Sequence, residues 1–184
     1  LTREAVAWLV RTVRQRSEKP EYYAEGVWAD TRALMLYALA LHGLTLATEI
    51  DALAQGGDLS TEGSAVLLRA IVLAREPSLD RHRRPLLDRL RQQIRVEATT
   101  AYLDRPDGDD WGWVFSSDER ATAYALAALV QADPTPDTRQ LGQRMVRYLM
   151  QQQDGGHWAS TQDNAAIVDA FRVFARQYER ETPA

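Results

Sequence analysis

The chain has 184 residues, a formal net charge of −4, 45% hydrophobic residues and 26% charged residues. This composition indicates a globular domain with a substantial core and excludes a disordered or fibrous chain, while the negative charge gives no reason to expect nucleic acid or an anionic membrane as a partner. The absence of cysteine excludes disulfides, thiolate metal ligands and a cysteine nucleophile within these residues.

No apolar run reaches the roughly 18 residues of a membrane span, and no signal peptide is visible. Leu1 is not an initiator residue, so we expect a piece of a longer protein.

The first half of the chain predicts two pairs of helices. Apolar residues at spacings of three and four predict an amphipathic helix over 2–16. The next helix, 28–42, is apolar nearly all round, which predicts burial on most sides. A short helix over 44–54 and a mostly apolar helix over 65–74 follow.

In the middle of the chain the spacing of apolar residues changes from a helical period to an alternating one. An arginine-rich amphipathic segment, which begins at Pro85, is followed by alternating residues over 96–102, typical of a strand. Residues 104–110 have turn chemistry, and 111–115 would form the return strand. We therefore predict a β-hairpin insert near 95–115.

The last three predicted helices lie over 121–130, 138–152 and 165–178. Amphipathic helices thus alternate with nearly all-apolar helices along the chain, as expected for two concentric helical layers. We predict an all-α fold and a single domain over 1–184, an α/α toroid of the terpenoid cyclase and protein prenyltransferase type. Four helical hairpins are fewer than the six of a full ring, so an incomplete ring is expected.

The junction before the last helix has the most specific sequence. Gly155 and Gly156 can adopt the positive φ angles that end a helix. Ser160 or Thr161 can accept a hydrogen bond from a free amide of the next helix, and Asp163 lies where the helix dipole favours a carboxylate. The sequence therefore predicts a helix–turn–helix corner.

This junction resembles the Gly-x-aromatic-x-Ser-Thr-Gln-Asp signature of the thioester-containing domain of α2-macroglobulins and complement components. Residues 31–43, 121–129 and 146–149 resemble further helices of that domain, in the family's order. The nearest likeness is to bacterial α2-macroglobulin-like proteins, which carry a Trp-x-Trp hairpin like that of Trp111 and Trp113. The signature residues are Gly156, Trp158, Ser160, Thr161, Gln162, Asp163 and Asn164.

The resemblance implies the C-terminal portion of a complement-like thioester domain in a secreted or periplasmic protease trap with a role in host defence. In the family, cleavage of a bait region exposes a Cys–Gln thioester that can acylate the protease. The Cys-x-Glu-Gln motif lies N-terminal to the part matched here, and some bacterial relatives lack it, so this chain leaves the thioester, the target proteases and the oligomeric state open.

For this chain the resemblance implies a structural part of a broad-spectrum endopeptidase inhibitor. Its expected partners are proteases, through the full-length protein, and neighbouring domains of the same chain. We expect no catalytic residue, no cofactor and no metal here. His157 borders the signature, but a histidine beside glycines without a paired nucleophile favours a corner residue.

Two other functions stay open. Residues 107–110 match the Asp-x-Asp-Asp of class II terpene cyclases, so the chain could be a fragment of such an enzyme or of an α/α-toroid glycosidase, with Asp109 or Asp110 as the acid. A solvated turn is favoured, because a cyclase acid must face an enclosed apolar cavity. Trp111 and Trp113 share one strand face, which suits either packing or a protein-binding scaffold.

The arginines over 81–95 also have two readings. They could form a phosphate-binding stripe, but the apolar residues interleaved with them and the negative net charge favour the solvated face of an outer helix.

Overall fold

The computed structural model describes residues 2–15, 25–104 and 117–179. These residues are mainly helical, which confirms the predicted all-α class. The elements are α1 (Arg3–Arg14), α2 (Glu25–Leu41), α3 (Ala47–Gly56), α4 (Thr61–Ala74), a 3₁₀ turn (Pro77–Leu79), α5 (Asp80–Gln93), β1 (Ile94–Val96), β2 (Ala101–Leu103), α6 (Asp118–Ala132), α7 (Pro136–Gln151) and α8 (Thr161–Tyr178).

The chain divides into two compact units, residues 1–89 and 90–184, and the division falls inside α5. In the first unit α2 makes its most extensive contacts with α4, α1 packs on α2, and α3 packs on both. Every residue of α4 from Gly63 to Ile71 is buried, as its nearly all-apolar sequence predicts. Arg69 is part of this run, and its guanidinium carbon lies 4.5 Å from the centroid of the Tyr37 ring, a favourable position for a buried cation.

One face of α2 is exposed. Leu36 and Leu39 are buried in the core, but Leu34 and Leu41 are 47% and 55% exposed. The prediction that this helix is buried on most sides is therefore only partly confirmed, because its apolar residues extend over a wider arc than its neighbours cover.

In the second unit α6 packs against α8 and α7, and β2 packs against α6 and α7. The alanines of α6 are buried, so neighbouring backbones approach closely. Gly142 also allows α7 to pack closely against its neighbours. A Cβ built at this position would lie 2.7 Å from Cε2 of Phe174 and 3.1 Å from Cδ1 of Leu126. A side chain at this position would overlap atoms of the core.

The predicted β-hairpin differs from the observed one. Strand β1 pairs with β2 in antiparallel register, Ile94 opposite Leu103, and the backbone N–H of Glu97 donates to the carbonyl of Thr100 at 2.9 Å. The turn thus lies inside the segment 96–102 that was predicted to be one continuous strand, and that prediction is wrong. The predicted return strand, 111–115, lies outside the described residues.

Contacts distant in sequence explain the position of this turn. Arg144 and Arg147 of α7 donate to the carbonyls of Glu97 and Thr99, both at 3.2 Å. On the other side, the Leu103 N–H donates to the hydroxyl of Thr122 at 3.0 Å. These partners satisfy backbone groups that a longer strand would have paired, and a period-two pattern cannot reveal them.

Helix α5 also begins earlier than its sequence predicts. Pro85 lies inside the helix instead of in its first turn, although proline removes one backbone hydrogen bond there. The first turn of α5, which precedes Pro85, is stabilised by another helix, because Arg81 and His82 both contact Asp51 of α3.

Candidate functional site

The corner between α7 and α8 holds most of the signature residues, and its turn is closed on itself. The N–H of Asp154 donates to the carbonyl of His157 at 3.0 Å, and the N–H of His157 donates to the carbonyl of Asp154 at 3.2 Å. Between them Gly155 and Gly156 have φ angles of 57° and 87°, which glycine adopts without steric cost. The exposed His157 places its ring Nδ1 3.2 Å from the carbonyl oxygen of Trp158.

Trp158 anchors the corner to the unit. Its side chain is 7% exposed, and its indole Nε1 donates to the carbonyl of Leu149, near the end of α7, at 2.7 Å. The Asn164 side-chain amide donates to the carbonyls of Trp158 and Ser160 at 3.0 and 2.6 Å. The tryptophan and the asparagine therefore join the end of one helix to the start of the next.

Of the two predicted cap residues, Ser160 and Thr161, it is Ser160 that caps α8. Its hydroxyl oxygen accepts from the N–H of Asp163 at 3.1 Å, and the hydroxyl donates to Oδ2 of Asp163 at 2.7 Å. This reciprocal arrangement satisfies a free amide of the first turn and places a negative charge at the positive end of the helix. Thr161 and Gln162, the two residues between, are exposed.

Asp163 also contacts the start of α6. Ser117, the N-cap of α6, donates its hydroxyl to Oδ1 of Asp163 at 2.7 Å. The carboxylate is 4% exposed and accepts from the cap serines of two helices, so α6 and α8 begin side by side. The sequence placed Asp163 at its own helix start but did not reveal this second partner.

The first unit has a similar arrangement at Asp30 of α2. Ser60, the N-cap of α4, donates its N–H to Oδ1 of Asp30 at 3.0 Å and its hydroxyl to Oδ2. Burial raises the pKa of Asp30, while the hydrogen bonds from Ser60 and the charge of Arg89 act in the opposite direction. The sequence analysis missed Asp30, because an acid in an apolar helix carries no sign of a partner 30 residues away.

Gly63 makes room for this carboxylate. A Cβ built on Gly63 would lie 1.8 Å from Oδ1 of Asp30, so the residue three positions after the Ser60 cap has to be glycine. In each unit, one carboxylate thus accepts a hydrogen bond from the cap serine of a mostly apolar helix: Asp30 at the start of α4, and Asp163 at the starts of α6 and α8.

A second cluster that the sequence analysis missed lies between α3 and α5. Oδ1 of Asp51 is 2.6 Å from Nε2 of His82 and is also contacted by Arg81, and Gln55 donates to Oδ2 at 2.9 Å. The hydrogen bond with His82, followed by that from Arg81, lowers the pKa of Asp51 to about 2.

Five arginines of the basic segment have partners within their own unit. Arg89 donates to the carbonyl of Leu59 at 2.6 Å, and four more have carboxylate partners. Those ion pairs are Arg81–Asp51, Arg84–Asp88, Arg91–Asp133 and Arg95–Asp104. Paired guanidinium groups favour the reading of a solvated helix face over a phosphate-binding stripe.

A cleft near the start of α7 is lined by both signs of charge. Arg91 contacts Asp133 and donates to the hydroxyl of Thr138 at 3.0 Å, and Asp137 lies on the same rim. The cleft is partly open to solvent, and Thr135 and Leu141 also line it. Asp109, Asp110, Trp111 and Trp113 lie outside the described residues, so the cyclase and scaffold readings stay predictions.

Within the described ranges, no group of three histidine, aspartate or glutamate side chains is arranged to hold a metal ion. The same ranges contain no helix with the length and apolar character needed to span a membrane.

Comparison of the chain with models of known protein families and with curated proteins gives no match in either case.

Proposed function

We propose that the chain is the C-terminal portion of a thioester-type domain in a bacterial α2-macroglobulin-like endopeptidase inhibitor, an α/α toroid with an incomplete ring. The signature over 155–164 is the basis of this proposal. The observation that carries it is that the signature residues hold the corner and the helix starts together. Trp158, Ser160, Asp163 and Asn164 bond to one another or to neighbouring helices, as expected of a signature that specifies a fold.

This use of the signature supports a structural role instead of a catalytic one. A serine nucleophile needs a general base that can accept its proton. The hydroxyl of Ser160 donates to Asp163, but this carboxylate is buried and also accepts from Ser117, and the Ser160 oxygen is occupied as the cap of α8. Such a carboxylate is committed to holding two helix starts in place.

The exposed face of α2 supports packing against neighbouring parts of the full-length protein. The exposed Leu34 and Leu41 lie on one face of α2 with three half-buried residues, and the five follow one another at steps of four and three, the spacing of a seam that receives another helix. The half-buried residues are Val27, Thr31 and Ala38. An apolar strip of this kind is unusual on a helix that faces only water. In the proposed protein, preceding helical hairpins and adjacent domains of the same chain cover it.

In this role the helices shield the thioester site, where the full-length protein has one, until a protease cleaves the bait region. The protein then changes its conformation and encloses the protease, in the periplasm or outside the cell.

The trap mechanism has a specific assay. A trapped protease keeps its active site, so the full-length protein should block the cleavage of a large protein substrate and spare a short peptide substrate. Endopeptidases of different cleavage specificity should all behave in this way. Equal loss of both activities would indicate an ordinary active-site inhibitor, and no inhibition of any endopeptidase would refute the proposal.

The thioester is tested separately with methylamine, which cleaves a thioester and releases a thiol. Because residues 1–184 contain no cysteine, any thiol that appears must come from elsewhere in the full-length protein. One thiol released per molecule indicates the covalent mechanism, and none indicates a trap that works by enclosure alone.

A further inference from the structure

We draw no further inference here: the strongest candidate, the Asp51, Arg81 and His82 cluster between α3 and the start of α5, is accounted for as a contact that joins these helices, and a switching role for it would rest on the pKa of Asp51 alone.

Discussion

The hydroxyl of Ser117 donates to the carboxylate of Asp163 across 46 residues of sequence, at 2.7 Å. Ser160 donates to the other oxygen of the same carboxylate. One buried charge therefore lies at the positive ends of two neighbouring helices, where the free N–H groups and the helix dipoles favour it.

Replacing Asp163 with alanine should lower the free energy of unfolding by about 2–4 kcal/mol, because two hydrogen bonds to a charged group are lost and two cap serines lose their partner. Urea unfolding followed by circular dichroism measures this loss. Asp88 is the control, since its ion pair with Arg84 is exposed, and Asp88→Ala should cost less than about 1 kcal/mol. An equal loss in both variants would contradict a special role for Asp163.

The coupling between the two helix starts can be measured by adding Ser117→Ala. If Asp163 bonds to Ser117 as described, the double variant Ser117→Ala with Asp163→Ala should lose less stability than the sum of the two single variants. Strict additivity would mean that this hydrogen bond contributes nothing to stability.

Glycine is required where two elements meet closely. Gly142→Ala should destabilise the protein by about 1–3 kcal/mol, because the new methyl group overlaps the ring of Phe174. Gly56→Ala is the matched control, since a Cβ there meets only Asp58, at 3.8 Å, and removing a helical glycine should raise stability by up to about 1 kcal/mol. Urea unfolding distinguishes these opposite signs. Adding Phe174→Leu should recover part of the loss in Gly142→Ala, and no recovery would exclude overlap with the ring as its cause.

The cluster at Asp51 should make the free energy of unfolding decrease at acidic pH. Its pKa in the folded protein is about 2, below the ordinary 3.8, so the unfolded state takes up a proton more readily. The stabilising contribution of Asp51 is therefore complete above pH 3.8 and disappears as the pH falls towards 2. Urea unfolding across this range should show the wild type losing its advantage over Asp51→Asn. A difference between the two proteins that stays constant across this range would contradict the assignment.

The contribution of Asp30 to stability should depend on pH in the opposite direction to that of Asp51. Burial raises its pKa above 3.8 in the folded protein, so the folded state holds the proton more tightly than the unfolded state. Its contribution is complete below pH 3.8 and decreases as the pH rises through the folded-state pKa. The stability of the wild type relative to Asp30→Asn, measured by urea unfolding from pH 3 to 8, should accordingly fall with increasing pH. A constant or rising difference would show that hydrogen bonds and Arg89 outweigh burial.

The sequence by itself determined the features that depend on near neighbours. Ser160 accepts a hydrogen bond from the amide three residues ahead, so its capping role follows from local residue order. The glycine pair at 155–156 likewise marked the corner through its own backbone freedom. The apolar character of α4 predicted its burial, since a helix that is apolar on nearly all sides has no polar face to expose to water.

Only the tertiary structure decided the features that join distant segments. The partner of Asp30, the second partner of Asp163 and the cluster at Asp51 all involve residues at least 30 positions apart. The turn at Glu97 likewise depends on arginines of α7. Residue type gives the hydrogen-bonding capacity of each of these groups, but packing brings the partners together, and burial then sets the strength of the interaction and the direction of the pKa shift.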